Sequence, residues 1–218
     1  PEMLAQRKQE KRKELVEEKG GNEESEKAVE RALKWLANNQ EPDGRWVHIR
    51  GRSRPSKSGR DKSDAALTGL AVLAFLGADH APNNPGPYQK TVADAVDYLI
   101  RYQRPDGDLR NGGDMYTQGI AAIAVAEAAI MTRDPRYRDA AFLAADFIIK
   151  AQHRNTGGWR YQPGDPGDTS VFGWQIMALH AAEQLGYEVP DEVYKRSNNW
   201  LDRVTRKNSL RSGYQNDS

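Results

Sequence analysis

The stretch "VERALKWLANNQEPDGRW", residues 29–46, decides how the chain is read, because it recurs. "VADAVDYLIRYQRPDGDL" (92–109) and "AFLAADFIIKAQHRNTGGW" (141–159) align with it, and Gln40, Gln103 and Gln152 fall 63 and 49 residues apart. Self-similarity of this length is the mark of a stacked-repeat architecture. Each copy carries an apolar trio at i, i+4, i+7: Val29, Leu33 and Leu36, then Val92, Val96 and Leu99, then Ala141, Ala145 and Ile148. That spacing is one stripe of an amphipathic helix. A turn follows each Gln, "PDG" in two copies and "TGG" in the third. Pro pre-sets φ and Gly accepts a positive φ, so both suit a tight reversal.

A second segment follows each turn: "DAALTGLAVLAFLG" from Asp64, "DMYTQGIAAIAVAEAAI" from Asp114 and "DTSVFGWQIMALHAAEQLG" from Asp168. All three begin with Asp and place Gly five residues later, at Gly69, Gly119 and Gly173. The Asp residues are expected to cap their helices through backbone N–H groups. Gly inside a helix costs roughly 1 kcal/mol relative to Ala, so its recurrence at one register predicts packing too close for a Cβ. These helices are apolar nearly all round and are expected to form a buried inner layer, with the amphipathic helices outside. A fourth copy begins near Pro190, and Asp217 falls 49 residues after Asp168. The reading is an all-α array of about three and a half helix pairs. The pattern suggests a fragment, or a last inner helix supplied from elsewhere, and an open apolar flank at the C-terminal side.

Composition narrows the chemistry. Net charge is +1 at pH 7, and nucleic acid is not favoured as a partner. There is no Cys, which excludes disulfides, thiol nucleophiles and thiolate metal sites. The chain begins at Pro1, with no initiator Met. No signal peptide is recognisable, and apolar runs such as "AALTGLAVLAFLGA" fall short of a bilayer span. Residues 1–22 mix both charges and read as a solvated helix or linker, with the repeat domain over 23–218. The stretch "RGRSRPSKSGRDK" (50–62) carries six positive residues and reads as a loop able to meet phosphate or acidic sugar groups.

At Gln40 to Trp46 the pattern Q-x-x-D-G-x-W resembles the QW repeat of squalene and hopene cyclases. Similar helix pairs occur in protein prenyltransferases and complement thioester domains. "GGWRYQPGDPGDTSVFGWQIMAL" further resembles prenyltransferase/squalene-oxidase repeat proteins of planctomycete bacteria. The resemblance covers roughly residues 22–218 and implies an α/α toroid, a ring of about six helix pairs when complete.

It also implies tests of chemistry. Class II terpene cyclases protonate substrate with the middle Asp of D-x-D-D-T-A. Aligned on "DPGDTS", Asp165 takes the first acid and Asp168 the last, but the donor position is Gly167. Prenyltransferase zinc needs a Cys this chain lacks, and His48, His80, His153 and His180 are not paired at ligand spacing. A thioester likewise needs Cys, and Asp165 with Asp168 are too few alone for calcium. The expectation is therefore no metal, no cofactor and no catalytic residue. The favoured function is a non-catalytic repeat module binding a small molecule, glycan, lipid or protein. The competing function is a terpene-cyclase-like or polysaccharide-processing enzyme that uses an acid in the toroid mouth. Candidate lining residues are Asp64, Asp114, Tyr116, Gln118, Asp165, Asp168 and Gln175. Trp46, Trp159 and Tyr161 are expected to pack between repeats.

Overall fold

A computed structural model describes residues 16, 18–48, 62–205 and 212–215. Most of the basic stretch 50–62 and of the charged lead-in 1–22 lies outside these residues, as does Asp217. Seven helices follow one another from residue 23 on among the described residues: α1 (Glu23–Asn38), α2 (Asp64–Gly77), α3 (Gln89–Arg101), α4 (Met115–Thr132), α5 (Pro135–Ala151), α6 (Thr169–Glu183) and α7 (Asp191–Val204). Among the described residues there is no strand, and a lone bridge joins Thr205 to Ser212. The order is outer–inner three times, then a fourth outer helix, as expected for part of an α/α toroid. The inner helices α2, α4 and α6 pack side by side, with α4 in the middle.

The apolar trios point inward as their spacing requires. Val92, Val96, Leu99, Ala141, Ala145 and Ile148 are all buried. Val29 differs, at 37% exposed, because α1 lies at the edge of the array. Helix α4 is buried from Met115 to Ala129 except at Tyr116 and Glu127. Its 18 residues reach the length and apolarity of a membrane span, contrary to the sequence expectation. Neighbours on both sides account for that apolarity.

The repeated Gln joins each unit to the next. Gln40 Nε2 donates to the carbonyl of Gly44 in its own turn at 2.9 Å and to Thr91 O of α3 at 2.8 Å. Gln103 does the same to Gly107 O at 3.4 Å and Ala140 O of α5 at 2.9 Å. Gln152 reaches Gly157 O at 2.9 Å and Val193 O of α7 at 3.1 Å. The turn glycines complete the seat. Gly44, Gly107 and Gly157 have φ of 97°, 93° and 80°. A Cβ on them would lie 2.2, 1.9 and 1.8 Å from the carbonyl oxygens of Asp94, Leu143 and Arg196. Those carbonyls sit three residues beyond the ones that Gln holds, so one turn of the next outer helix rests backbone to backbone on the loop. Only Gly combines a left-handed φ with that approach.

Trp46 and Trp159 lock the loop from its other side. Their indole N–H groups donate to Leu36 O at 2.9 Å and Ile148 O at 2.7 Å, the last turns of α1 and α5. Leu109 fills that place in the middle copy and is equally buried. A further tie was not read from the sequence. The hydroxyls of Tyr88, Tyr137 and Tyr187, spaced by 49 and 50 residues, donate to Glu30, Asp97 and Asp146 on the preceding outer helix.

Two predictions follow from these joints. Gly107→Ala should lower stability by more than about 3 kcal/mol, since strain and a carbonyl contact add. Gly112→Ala, with the same φ of 93° but open space around its Cβ, should cost about 1 kcal/mol; urea midpoints would separate the two. Burial, then Glu30, pushes the Tyr88 phenol up to about 12. Burial, then Asp97, raises Tyr137 to about 12 as well. A phenol raised on folding stabilises fully below its ordinary value of about 10 and loses that contribution as pH climbs towards the folded value. Unfolding midpoints should therefore fall between about pH 10 and 12, and fall less in a Tyr88→Phe/Tyr137→Phe variant.

Candidate functional site

The loops from outer to inner helices gather at one end of the array, and the sequence-derived candidates lie there. Two of the three repeated Asp residues cap their helices. Asp114 accepts from the N–H groups of Tyr116 at 3.0 Å and Thr117 at 3.3 Å. Asp168 Oδ1 accepts from Ser170 N at 2.9 Å, Val171 N at 3.1 Å and Ser170 Oγ at 2.5 Å. Asp64 departs from the expectation. Ser63 precedes it with helical dihedrals, φ −95° and ψ −7°, so Asp64 is already inside the helix. Its Oδ2 instead lies 3.5 Å from Nε of Arg45, and the carboxylate is fully buried.

Gln118 and Gln175 are fully buried braces. Gln118 accepts from Leu109 N at 2.7 Å and donates to Gly107 O at 3.1 Å, fixing the middle loop to α4. Gln175 donates to Met115 O at 2.8 Å, tying α6 to the start of α4. Asp165 closes its own loop by accepting from Gln162 N at 3.0 Å.

The remaining candidate, Tyr116, belongs to a surface cluster. Its hydroxyl meets Ser170 Oγ, which in turn donates to Asp168. Its ring lies 6.1 Å from that of Tyr161. The Tyr161 and Tyr214 hydroxyls are 2.6 Å apart, and both rings are well exposed. Asp168 and then Tyr161 push the exposed Tyr214 phenol above its ordinary value. Arg160 stacks over Tyr161 at 5.2 Å. The result is three phenols, a serine hydroxyl and a guanidinium around one buried carboxylate. Ser170 and Tyr214 were not among the sequence candidates. Ser170 follows the cap by two residues, a spacing that signals contact with the cap. Nothing in the sequence brings Tyr214 to α6.

Asp108, also missed, sits 4% exposed in the middle loop, hydrogen-bonded to Arg110 Nε at 3.0 Å and Nη2 at 2.9 Å. Burial alone would raise its carboxyl, but the Arg110 bonds and charge bring it below the ordinary carboxylate value.

Gly167, the position of interest before the Asp168 cap, is buried against Trp200 of α7. A Cβ there would lie 2.7 Å from three atoms of the indole. The same ring comes within 2.9 Å of the Cβ position of Gly158. Trp200 is itself 1% exposed, seated between the two glycines.

The sequence profile of the squalene-hopene cyclase C-terminal domain matches residues 15–119. A drimenyl diphosphate synthase of Streptomyces showdoensis is 28% identical over 156 residues, 70% of this chain and 26% of that protein. A protein of the same name from Streptantibioticus cattleyicolor is 35% identical over 83 residues, 38% of this chain and 13% of that protein. The chain is a squalene-cyclase-like helical repeat protein. It spans about a quarter of the length of the first of these relatives.

In this cyclase-like repeat protein, the place that the resemblance gives to the proton donor is filled by an indole. A carboxylate at Gly167 has no room while Trp200 is seated. Gly167→Asp should therefore lower stability by about 3 kcal/mol or more. Trp200→Ala alone should cost about 3–5 kcal/mol. The double variant should be less destabilised than the sum, because the steric conflict is gone. A thermodynamic cycle from urea unfolding reads that coupling; strict additivity would mean that the ring does not occupy the site.

Proposed function

We propose that the protein is a non-catalytic repeat module that binds a polyhydroxylated ligand, of glycan type, at the loop end of its inner helices. The observation that carries the reading is the indole of Trp200 against Gly167. It leaves Asp168 as the nearest acid, and one oxygen of Asp168 is already spent on three donors. An acid able to protonate an alkene needs a different setting. In this reading the seven candidate residues divide by depth. Tyr116, with Tyr161, Tyr214 and Ser170, forms the rim. Asp114, Asp165 and Asp168 hold the loops that carry it. Asp64, Gln118 and Gln175 form the floor. Exposed phenol faces beside hydroxyl and guanidinium groups suit sugar rings, whose C–H faces stack and whose hydroxyls both donate and accept. In the same reading residues 23–218 form the repeat domain and 1–22 a charged lead-in.

The names of the relatives favour a second reading. Two proteins called drimenyl diphosphate synthase share this repeat. On that reading the chain is a section of a terpene-forming enzyme whose reacting acid is supplied outside the Asp165–Asp168 loop.

One experiment addresses both. The protein is titrated with neutral and acidic oligosaccharides by calorimetry, and separately incubated with a linear isoprenoid diphosphate followed by product analysis. The module reading expects saccharide binding that weakens at least about tenfold in Tyr214→Ala and Tyr116→Ala, with circular dichroism unchanged and no cyclised product. A cyclised product that persists in Asp168→Asn would replace it with the enzyme reading.

A further inference from the structure

The Nε2 of each repeated Gln is spent on its joint, which leaves Oε1 as an acceptor. In the third joint that acceptor is taken. Arg196 Nε of α7 donates to Gln152 Oε1 at 2.8 Å. Arg196 Nη1 lies 4.0 Å from Glu192, one turn earlier on the same helix. In the middle joint the counterpart of Arg196 is Leu143, since the carbonyls of these two residues meet Gly157 and Gly107 in the same way. The counterpart of Gln152 is Gln103, and that of Glu192 is Asp139, again four residues earlier. Both acceptors are kept and the guanidinium is gone. Among the described residues nothing donates to Gln103 Oε1, while its Nε2 is committed to Gly107 and Ala140. A groove of about 530 Å³ between α3 and α5 takes the guanidinium's place, lined by Asp97, Ile100, Arg101, Gln103, Asp139 and Leu143 among others. It lies between two other joints of the same chain. The first joint has no such seat: Asp94 stands at the Arg196 position and Lys90 at the Glu192 position, and the two pair with each other.

We infer that the groove between α3 and α5 is a seat for an arginine side chain presented by a partner polypeptide. The chain itself shows what fits, because Arg196 fills the equivalent place one joint on. A guanidinium carries several N–H donors in a planar fork, so it can serve the Gln carbonyl and a carboxylate together; an ammonium is a point charge and does this poorly. Leu143, 41% exposed, and Ile100 offer apolar surface to the methylene stem of an arginine. The groove is open along the surface, so a main chain can enter and leave it. Arg136, also on its wall, is committed to Asp134 at 2.8 Å and to Asp97 at 3.7 Å. Arg101 forms no ion pair among the described residues and favours a partner with an acid near its arginine. A cation at that register does not bar the seat, since Lys150 holds it in the third joint. No residue of the groove belongs to the phenol cluster, so the inference stands apart from the glycan reading.

The test titrates the full chain by calorimetry with a capped alanine-based peptide carrying one glutamate and, four residues later, one arginine. The same peptide with citrulline or lysine in place of arginine, and free arginine, serve as comparisons. The arginine peptide should bind, and each of the three comparisons should bind at least about tenfold more weakly. Asp139→Asn should weaken the arginine peptide about two- to fivefold at low salt, because the acid is exposed. Leu143→Arg puts the occupant of the third joint into the middle one. It should abolish peptide binding and raise the urea midpoint, a readout that needs no peptide. Absence of binding at about 1 mM peptide, equal binding of the lysine peptide, free arginine as tight as the peptide, or binding indifferent to Leu143→Arg would each overturn the inference. So would a lower urea midpoint in Leu143→Arg, which would mean that the groove is not shaped for a guanidinium.

Discussion

One side chain sets the geometry of this protein. The carboxamide of Gln40, Gln103 or Gln152 donates at once to its own loop and to the first turns of the next outer helix. Carbonyls in the first turns of a helix are normally committed along the helix axis, yet each has a second lone pair. The Gln uses that spare capacity. The glycine beside it lets the backbones touch, so the joint has almost no freedom to tilt. The other features elaborate this contact: the Trp that braces the loop from behind, the Tyr that reaches back to an acid, and the Asp that starts the inner helix.

Much of this was legible in the sequence because it depends on local chemistry repeated at a fixed interval. The Gln register, the turn glycines, the apolar trios and two of the three caps follow from residue types a few positions apart. Asp64 was misread because a cap depends on the dihedrals of the residue before it, and Ser63 enters the helix early. Gly173 shares its register with Gly69 and Gly119 but not their crowding, since crowding belongs to the neighbour and not to the glycine. The tyrosine ties were available as a spacing of 49 and 50 residues, but Glu30 stands a helical turn earlier, relative to the repeated Gln, than Asp97 and Asp146 and hides the pattern.

The loop end is legible only in part for a related reason. Reading "DPGDTS" against the cyclase motif locates the missing acid at Gly167 but gives no cause. The cause is Trp200, more than thirty residues away in the next unit. A glycine that looks like the loss of a catalytic group is, physically, the receptacle for an indole. Tyr214 is farther still along the sequence from the Asp168 cap that it meets. Local pattern supplies the frame, and long-range packing decides what each loop can do.

The Gln seat also has a direction. Every unit carries the socket for the outer helix that follows it and none for the one before. An added helix pair would find its berth already built, and would bring a fresh berth for its successor. Tandem gene duplication can therefore lengthen such a protein one unit at a time without redesigning an existing joint. Deletion of an internal unit would likewise leave its neighbours able to meet. The differences among the present copies, Leu109 in place of Trp and Asp108 in place of Arg45 or Gly158, fall around the joint and spare the Gln and the Gly that form it.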